Sequence, residues 1–334
     1  MSYCSSNSLE PGTKVNDVIE FVRLLRYRPE GSLSSEEVGR LRCFHWFDEA
    51  DYRSWSGIEL SIHETQGTVQ VETRTPIGRS YYDLSHQNDT IRLLRKHFGG
   101  SFVTDEGRGR YQRPGSGPPS PAASGCHLAF QRFGANLITC HVYFRDREFK
   151  SPKRKRPTGV YVMDFTNPWL ISNNLLLPYL VAITEDYWKS TFIPLLRYSS
   201  KKEAILRSGR LTAEHLAAVS DGRRSVEEAL VEALPFQRVS AACRHFSALD
   251  PNLDFAGVLR KPYRRRRQSL FESLEQMTEI RHELVHRARL SEVLTDEFVA
   301  SLLHNLQVAV VRCYRHLTKR NGWAFEKWWA VGGL

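Results

Sequence analysis

The spacing of apolar residues changes along this 334-residue chain, and that change limits its possible folds more than any other feature. Every second residue is apolar in IELSI (58–62) and in TVQV (68–71), which predicts a β-hairpin across the turn-like ETQGT segment. From residue 171 onward, apolar residues recur at the spacing of amphipathic helices. The sequence therefore predicts an α+β fold, with an N-terminal antiparallel sheet in residues 1–165 and an all-α bundle in residues 166–334.

Local patterns predict the other elements of the first domain. The segment VNDVIEFVRLLRYR (15–28) has helical spacing, and Ser34 and Glu37 are placed as a capping box for a second short helix. NDTIRLLRKHFGG (88–100) has a polar start and a Gly-Gly stop, which predicts another helix. Residues 107–125 are rich in Pro, Gly and Ser and predict a flexible surface loop. Further strands are predicted at SFVT (101–104), at CHLAFQRF (126–133) paired with LITCHVYF (137–144) as a second hairpin, and at GVYVMDF (159–165).

The second domain is predicted to be helical throughout. NNLLLPYLVAITEDYWKSTFIPLLRYS (173–199) predicts one long helix with a kink at Pro194. The segment SVEEALVEAL (225–234) begins with the serine and glutamate spacing of a capping box. The last helix is predicted to begin after Thr295, with acidic residues in its first turn, and to end before Gly322.

The charge balance predicts a polyanionic partner. The chain has 47 Lys and Arg against 37 Asp and Glu, a formal net charge of +10, which favours nucleic acid first and an anionic membrane second. The longest apolar run, LLLPYLVAIT (175–184), is too short to span a bilayer. Six cysteines occur without any C-x-x-C pair, which is typical of reduced thiols. We therefore expect a cytoplasmic protein without a membrane segment.

The segment HELVH (282–286) matches the zinc-protease pattern H-E-x-x-H, in which two histidines bind zinc and the glutamate activates water. Such a site needs a third ligand. Glu292 and Glu297 follow the motif too closely, and Glu326 lies beyond the last predicted helix. Arg287 also follows the second histidine directly, where uncharged residues are usual. A zinc peptidase is therefore the weakest interpretation, and we expect neither a metal nor a cofactor. Four other histidines lack metal-ligand spacing and are expected to be structural: His63, His86, His127 and His141.

Arg281 precedes this motif and falls within an apolar helical stripe. An unpaired guanidinium is costly to bury there. Either Thr278 caps a fresh helix, or Arg281 faces a polar cleft or an interface. A third alternative is a buried ion pair with Glu185 or Asp186. The stripe comprises Leu270, Leu274, Met277, Leu284 and Ala288.

An arginine and a histidine at this spacing suit RNA cleavage without a metal. The 2'-hydroxyl beside the scissile phosphate is a built-in nucleophile, a histidine moves protons at neutral pH, and an arginine stabilises charge on the phosphate oxygens. On a continuous helix, Arg281 and His286 lie about 140° apart. Both therefore reach one phosphate only if the helix begins at the motif or if two protomers combine their residues.

The segment EIRHELVHRA (279–288) resembles the signature of HEPN-superfamily ribonucleases, and the helical context over residues 170–320 resembles their RiboL-PSP-like branch. The resemblance implies that Arg281 and His286 are the catalytic pair and that His282 helps to position them. It also implies a site at a homodimer interface. The departure is His282, where asparagine is commoner. Such proteins are metal-independent endoribonucleases, and many are toxins or abortive-infection effectors in antiphage defence.

Four consecutive arginines, Arg264, Arg265, Arg266 and Arg267, precede the motif helix. They predict RNA-backbone contacts leading into the site, and the alternative is a solubilising turn. The first domain has no catalytic motif, so its order in the chain predicts only a sensing or targeting role, through a regulatory partner or a phage-derived trigger.

The combined expectation is an endoribonuclease that cleaves tRNA or mRNA and leaves a 2',3'-cyclic phosphate. The main alternative is a non-catalytic HEPN module that binds RNA or protein as a scaffold. Loss of cleavage without loss of RNA binding after mutation of Arg281 or His286 separates the two.

Overall fold

The chain folds into two compact units, Met1–Ser124 and Gly125–Leu334. The boundary differs from the expected one at residue 165, because the helix that contains residues 125–150 belongs with the second unit. The computed structural model describes residues 2–35, 39–115, 117–150, 167–264, 267–287 and 290–324.

The first unit is built on one antiparallel sheet of seven strands, in the order β2-β3-β4-β5-β1-β6-β7. The predicted hairpin is confirmed, with Ile62 opposite Val71 and a tight turn between Thr65 and Thr68. Two helices accompany the sheet, α1 (Val15–Leu24) and α2 (Tyr81–Phe98). The strands are β1 (Tyr3–Ser8), β2 (Arg28–Ser35), β3 (Gly39–Trp46), β4 (Ile58–Thr65), β5 (Thr68–Thr75), β6 (Ser101–Thr104) and β7 (Gly107–Arg108).

The alternation in β4 determines which face of the sheet is buried. Ile58, Leu60 and Ile62 point to one face, where they form a core with Val18 and Val22 of α1. Successive side chains of a strand point to opposite faces, so the polar residues between them lie on the other face. The predicted N-terminal antiparallel sheet and its α+β class are thus confirmed.

A buried carboxylate fixes the start of α2. Ser80 and Asp83 form a reciprocal capping box, each side chain accepting a hydrogen bond from the other's backbone N–H. The Asp83 carboxylate also accepts hydrogen bonds from the Ser54 hydroxyl and from the backbone N–H groups of Trp55 and Ser56. These bonds compensate for burying the charge and hold the 54–56 turn against the helix.

Two predictions for the first domain are wrong. Ser34 and Ser35 end strand β2 rather than capping a helix, because pairing with β3 outweighs the local capping signal. Residues 126–144 form no hairpin but lie within α3 (Pro121–Lys150). The predicted strand at 159–165 lies outside the described residues, and within the predicted loop residues 109–115 and 117–120 are irregular.

The apolar residues of α3 explain why it is a helix. Cys126, Phe130, Phe133, Leu137 and Cys140 recur three or four positions apart, and all five are buried in the core of the second unit. The apparent alternation in CHLAF concealed this helical period.

The second unit is all-helical in the described ranges. In this unit the predicted capping box, N-cap and helix stop are confirmed: Ser225 accepts a hydrogen bond from Glu228 N–H, Thr295 accepts one from Phe298 N–H, and Gly322 adopts a left-handed conformation after the last helix. After α3, the helices are α4 (Pro168–Arg197), α5 (Lys202–Ser208), α6 (Ala213–Ser220), α7 (Val226–Ala233), α8 (Val239–Leu249), α9 (Phe255–Arg260), α10 (Leu270–Arg287) and α11 (Asp296–Asn321).

Helix α11 lies at the centre of this unit's core. Its residues Leu306, Ala309, Cys313 and Leu317 have no solvent exposure, and its Asn305 side chain donates a hydrogen bond to Ser273 of α10. No helix in the described part of the chain is long and apolar enough to cross a membrane.

Candidate functional site

Helix α10 carries the candidate motif at its C-terminal end, and the rest of the helix is anchored in the core. Leu270, Leu274 and Met277 are buried. The Thr278 hydroxyl donates hydrogen bonds to the carbonyls of Leu274 and Gln237. Since the helix continues unbroken through Thr278, this residue does not cap a fresh helix.

The last two turns of α10 carry the three predicted site residues. Arg281 is half-buried, whereas His282 and His286 are exposed. The two imidazole rings lie one helical turn apart, with their centroids 4.2 Å from each other. Within the described ranges, none of the three side chains makes a hydrogen bond or an ion pair. Their polar groups are therefore available to a ligand.

The alternative that Arg281 is buried against an acidic residue of α4 is wrong. Glu185 pairs with Lys189 at 2.7 Å, and Asp186 pairs with Arg132 of α3 at 3.0 Å. Both carboxylates are thus occupied by other cations. Arg281 is half-buried, as is Leu284 of the apolar stripe three residues further on.

The continuous helix also settles how Arg281 and His286 are related within one chain. Five residues along an α-helix rotate by about 140°, so these two side chains leave the helix in different directions. Within one copy of α10 the two side chains therefore diverge rather than converge on one point. A second copy of the motif supplies the missing group if the helices meet at their ends.

Two consecutive buried asparagines of α4 hold the segment that follows the motif. Asn174 accepts a hydrogen bond from the Ser291 N–H at 2.7 Å and donates one to the Ser291 carbonyl. Asn173 donates to the Leu294 carbonyl at 2.7 Å and to the Asp296 carboxylate at 2.9 Å. Sequence reasoning missed this clamp, although a pair of asparagines in an apolar helix is a sign of a buried amide network.

A cavity of about 240 Å³ lies between the end of α10 and this clamped segment. Its lining combines apolar side chains with charged ones at the rim. Glu283 and Arg287 lie one turn apart on α10, with 3.8 Å between the carboxylate and guanidinium atoms. The lining residues are Ile280, Glu283, Leu284, Arg287, Leu290, Ser291 and Glu292.

The arginine run lies at the opposite end of α10 from the motif. At 1.5 Å per residue, Leu270 is about 17 Å from Arg281 along the helix axis, so RNA contact by the run would lie at a distance from the motif and stays a prediction. Arg264 and Arg267 are exposed, and Arg264 and Arg312 flank the Tyr263 ring. Arg265 and Arg266 lie outside the described residues.

The excess positive charge of the chain belongs to the helical unit. Residues 125–334 contain 32 Lys and Arg against 21 Asp and Glu, whereas residues 1–124 contain 15 against 16. The unit that carries the motif is therefore strongly basic, and the sheet unit is close to neutral.

Two of the remaining histidines occupy structural positions. His127 is buried in α3, its Nδ1 atom lies 2.9 Å from the Tyr314 hydroxyl, and burial lowers its pKa to about 4. His86 stacks on Trp46, and burial lowers its pKa as well. Among the residues that the structure describes, no three His, Cys, Asp or Glu side chains group together as metal ligands.

Comparison with known proteins found no relative. No family model matches the chain, and neither curated proteins nor solved structures match it significantly.

Proposed function

We propose that this protein is a metal-independent endoribonuclease of the HEPN type, resident in the cytoplasm. The observation that supports the proposal is the end of α10, where an exposed histidine pair and a half-buried arginine have no hydrogen-bond or ion-pair partner among the described residues. An accessible histidine can move a proton, and an accessible arginine can hold phosphate oxygens.

The proposed reaction needs one proton removed and one delivered. The 2'-oxygen of RNA attacks the adjacent phosphorus as its proton passes to an imidazole, the bond to the 5'-oxygen breaks, and that oxygen receives a proton. The products are a 2',3'-cyclic phosphate and a 5'-hydroxyl. The His286 imidazole removes the 2'-hydroxyl proton and then gives it to the departing 5'-oxygen, Arg281 holds the phosphate oxygens, and His282 positions the pair.

The site is proposed to be completed by a second copy of the chain. Arg281 and His286 diverge on one helix, so a twofold arrangement is the way for both to contact one phosphate. Val285 and Val293, beside the motif, are 49% and 55% exposed, and apolar residues at this position suit a surface covered by another protomer.

The charge of the helical unit supports an RNA substrate, either tRNA or mRNA. An excess of 11 positive charges attracts polyanions, so binding should weaken as salt rises. We also propose that the sheet unit senses a trigger or selects the target. A role as a toxin or abortive-infection effector in antiphage defence rests on the HEPN resemblance.

The test is incubation of the purified chain with total tRNA and a structured mRNA in excess EDTA, beside His286→Ala and Glu279→Gln. Glu279 is an exposed acid on the same helix and serves as the matched control. Wild type and Glu279→Gln should produce 2',3'-cyclic phosphate ends, and His286→Ala should be slower by about 10²–10⁴-fold.

Other outcomes contradict the proposal in different ways. Equal cleavage by His286→Ala would show that the site lies elsewhere. RNA binding by wild type without cleavage would favour the scaffold, and peptide cleavage abolished by EDTA would favour the zinc peptidase.

A further inference from the structure

We infer that the cavity at the C-terminal end of α10 binds a guanine base of the RNA next to the bond that is cut. This inference deepens the proposed function and rests on it. The cavity lies on the same two helical turns as the histidine pair, but on a neighbouring face of the helix.

The size and walls of the cavity suit one nucleobase. Its volume of about 240 Å³ is below the range of drug-sized ligand sites. A cavity of this size has room for one nucleobase. Ile280, Leu284 and Leu290 supply apolar surface that can contact the faces of a base. RNA bases recognised by proteins are commonly splayed out of the strand and bound in this way.

The polar rim of the cavity selects for guanine. Glu283 and Arg287 form an exposed ion pair whose closest atoms are 3.8 Å apart, and at this distance neither side chain spends its hydrogen-bonding groups on the other. A carboxylate accepts from two adjacent N–H donors, which guanine presents at N1 and N2. A guanidinium donates to two adjacent acceptors, which guanine presents at O6 and N7. No other standard base presents both pairs.

The clamp on the following segment keeps the cavity in shape. Ser291 lies on the cavity wall, and its backbone N–H and carbonyl are both bonded to the buried side chain of Asn174. The far wall is therefore fixed to α4 rather than left to a free loop end. A rigid wall lowers the entropy cost of binding a base.

The position of the cavity relative to His286 fits one nucleotide. Around the helix, Glu283 is about 60° and Arg287 about 100° from His286. For a helix of about 10–12 Å diameter with its side chains, 100° corresponds to a separation of about 8 Å. A base at the rim therefore has its own phosphodiester within reach of the imidazole.

The experiment measures base preference in binding and in cleavage separately. Binding uses the His286→Ala variant and labelled oligouridine 12-mers with one central guanosine, inosine, adenosine or cytidine, followed by fluorescence anisotropy. Cleavage uses wild type on an RNA with randomised sequence, with the new ends sequenced. Both are repeated with Glu283→Gln and with Glu279→Gln as the matched control.

We expect guanosine to be bound about tenfold more tightly than adenosine, and inosine, which lacks the N2 amine, to be weaker than guanosine. Cleavage should map next to guanosine. Glu283→Gln should remove most of the preference for guanosine. Its amide nitrogen is a donor and cannot accept a hydrogen bond from a guanine N–H, as the carboxylate oxygen does. Glu279→Gln should keep the preference.

Each contrary result has its own meaning. Guanosine-selective binding without any cleavage supports the pocket and contradicts the ribonuclease. Cleavage without a guanosine preference, or a preference that survives Glu283→Gln, overturns the pocket and leaves the ribonuclease standing. No preference and no cleavage overturn both.

Discussion

The first half of α10 (270–278) and its second half (281–287) belong to one continuous helix, yet they have opposite relations to the rest of the molecule. In the first half, Leu274 and Met277 are buried and Thr278 bonds back to neighbouring carbonyls. In the second half, His282 and His286 are exposed and bond to no described residue. The first half therefore contributes to stability, and the second half presents polar side chains on a rigid support.

Because of this difference, mutations in the two halves should have separate effects on stability and on activity. A helix anchored by its first two turns can carry exposed polar residues on its last two turns at little cost in stability. Substitutions in the second half should then change activity alone, and substitutions in the first half should change stability alone.

The largest expected effect concerns the second half. Arg281→Ala and His286→Ala should each lower RNA cleavage by about 10²–10⁴-fold without changing the unfolding midpoint. Because the two groups diverge within one chain, mixing the two inactive variants should restore activity. A mixed dimer has one intact composite site, so random mixing should recover roughly a quarter of the wild-type rate. Initial rates on tRNA, measured before and after mixing and re-equilibration, are the readout.

A double variant that carries both substitutions is the control, since mixing it with either single variant cannot form an intact site. If the single variants remain inactive after subunit exchange has been shown by differently tagged chains, the composite site is wrong.

The next effect concerns the first half. Met277→Ala removes a side chain that is 1% exposed, so it should lower the free energy of unfolding by about 2–5 kcal/mol. Glu279→Ala, two residues further on and exposed, should change it by less than about 0.5 kcal/mol. Urea denaturation measures both. Cleavage per folded molecule should be unchanged in Met277→Ala, and a loss as large as that of His286→Ala would break the separation of the two halves.

The contrast between buried and exposed residues also applies to His127, whose burial should make the stability of the protein depend on pH. Burial lowers the pKa of His127 to about 4, while an unfolded histidine has a pKa near 6.5. Below pH 6.5 the unfolded state binds the proton more readily, so stability should fall as the pH falls from about 6.5 to 4, by roughly 3 kcal/mol in total. Urea denaturation at pH 7 and pH 4.5 measures the loss.

The variant His127→Gln isolates this contribution because glutamine can still bond to the Tyr314 hydroxyl but does not titrate in this range. Its stability should depend less on pH between 6.5 and 4 than that of wild type. An identical pH dependence in the variant would assign the acid sensitivity to other groups.

Much of the fold follows from local sequence, as the hairpin of β4 and β5 and the caps of α11 illustrate. An alternating strand and a capped helix carry their signals within a few residues, so Thr295 and Gly322 could be placed without tertiary information. The errors at Ser34 and in α3 arose where a local pattern was weaker than long-range pairing or burial.

The candidate site was less predictable than the fold. The motif residues were identifiable because their types and spacing suit a reaction. The partners of Glu185 and Asp186, the clamp made by Asn174 and the cavity beside Glu283 depend on helices far apart in sequence. Sequence spacing within one helix contains no information on such contacts.

The smallest expected effect concerns the exposed arginines at the far end of α10, about 17 Å from the motif. If Arg264 and Arg267 contact phosphates, the double alanine variant should weaken RNA binding for all sequences alike. Each lost contact should also reduce the slope of log affinity against log salt by about 0.7.

Alanine variants of Arg53 and Arg92, exposed on the sheet unit, are the matched control and should leave the slope unchanged. Anisotropy titrations between roughly 50 and 200 mM salt measure this slope, because phosphate contacts make affinity fall steeply over that range. An unchanged slope would show that Arg264 and Arg267 contact no phosphate and would favour the solubilising turn.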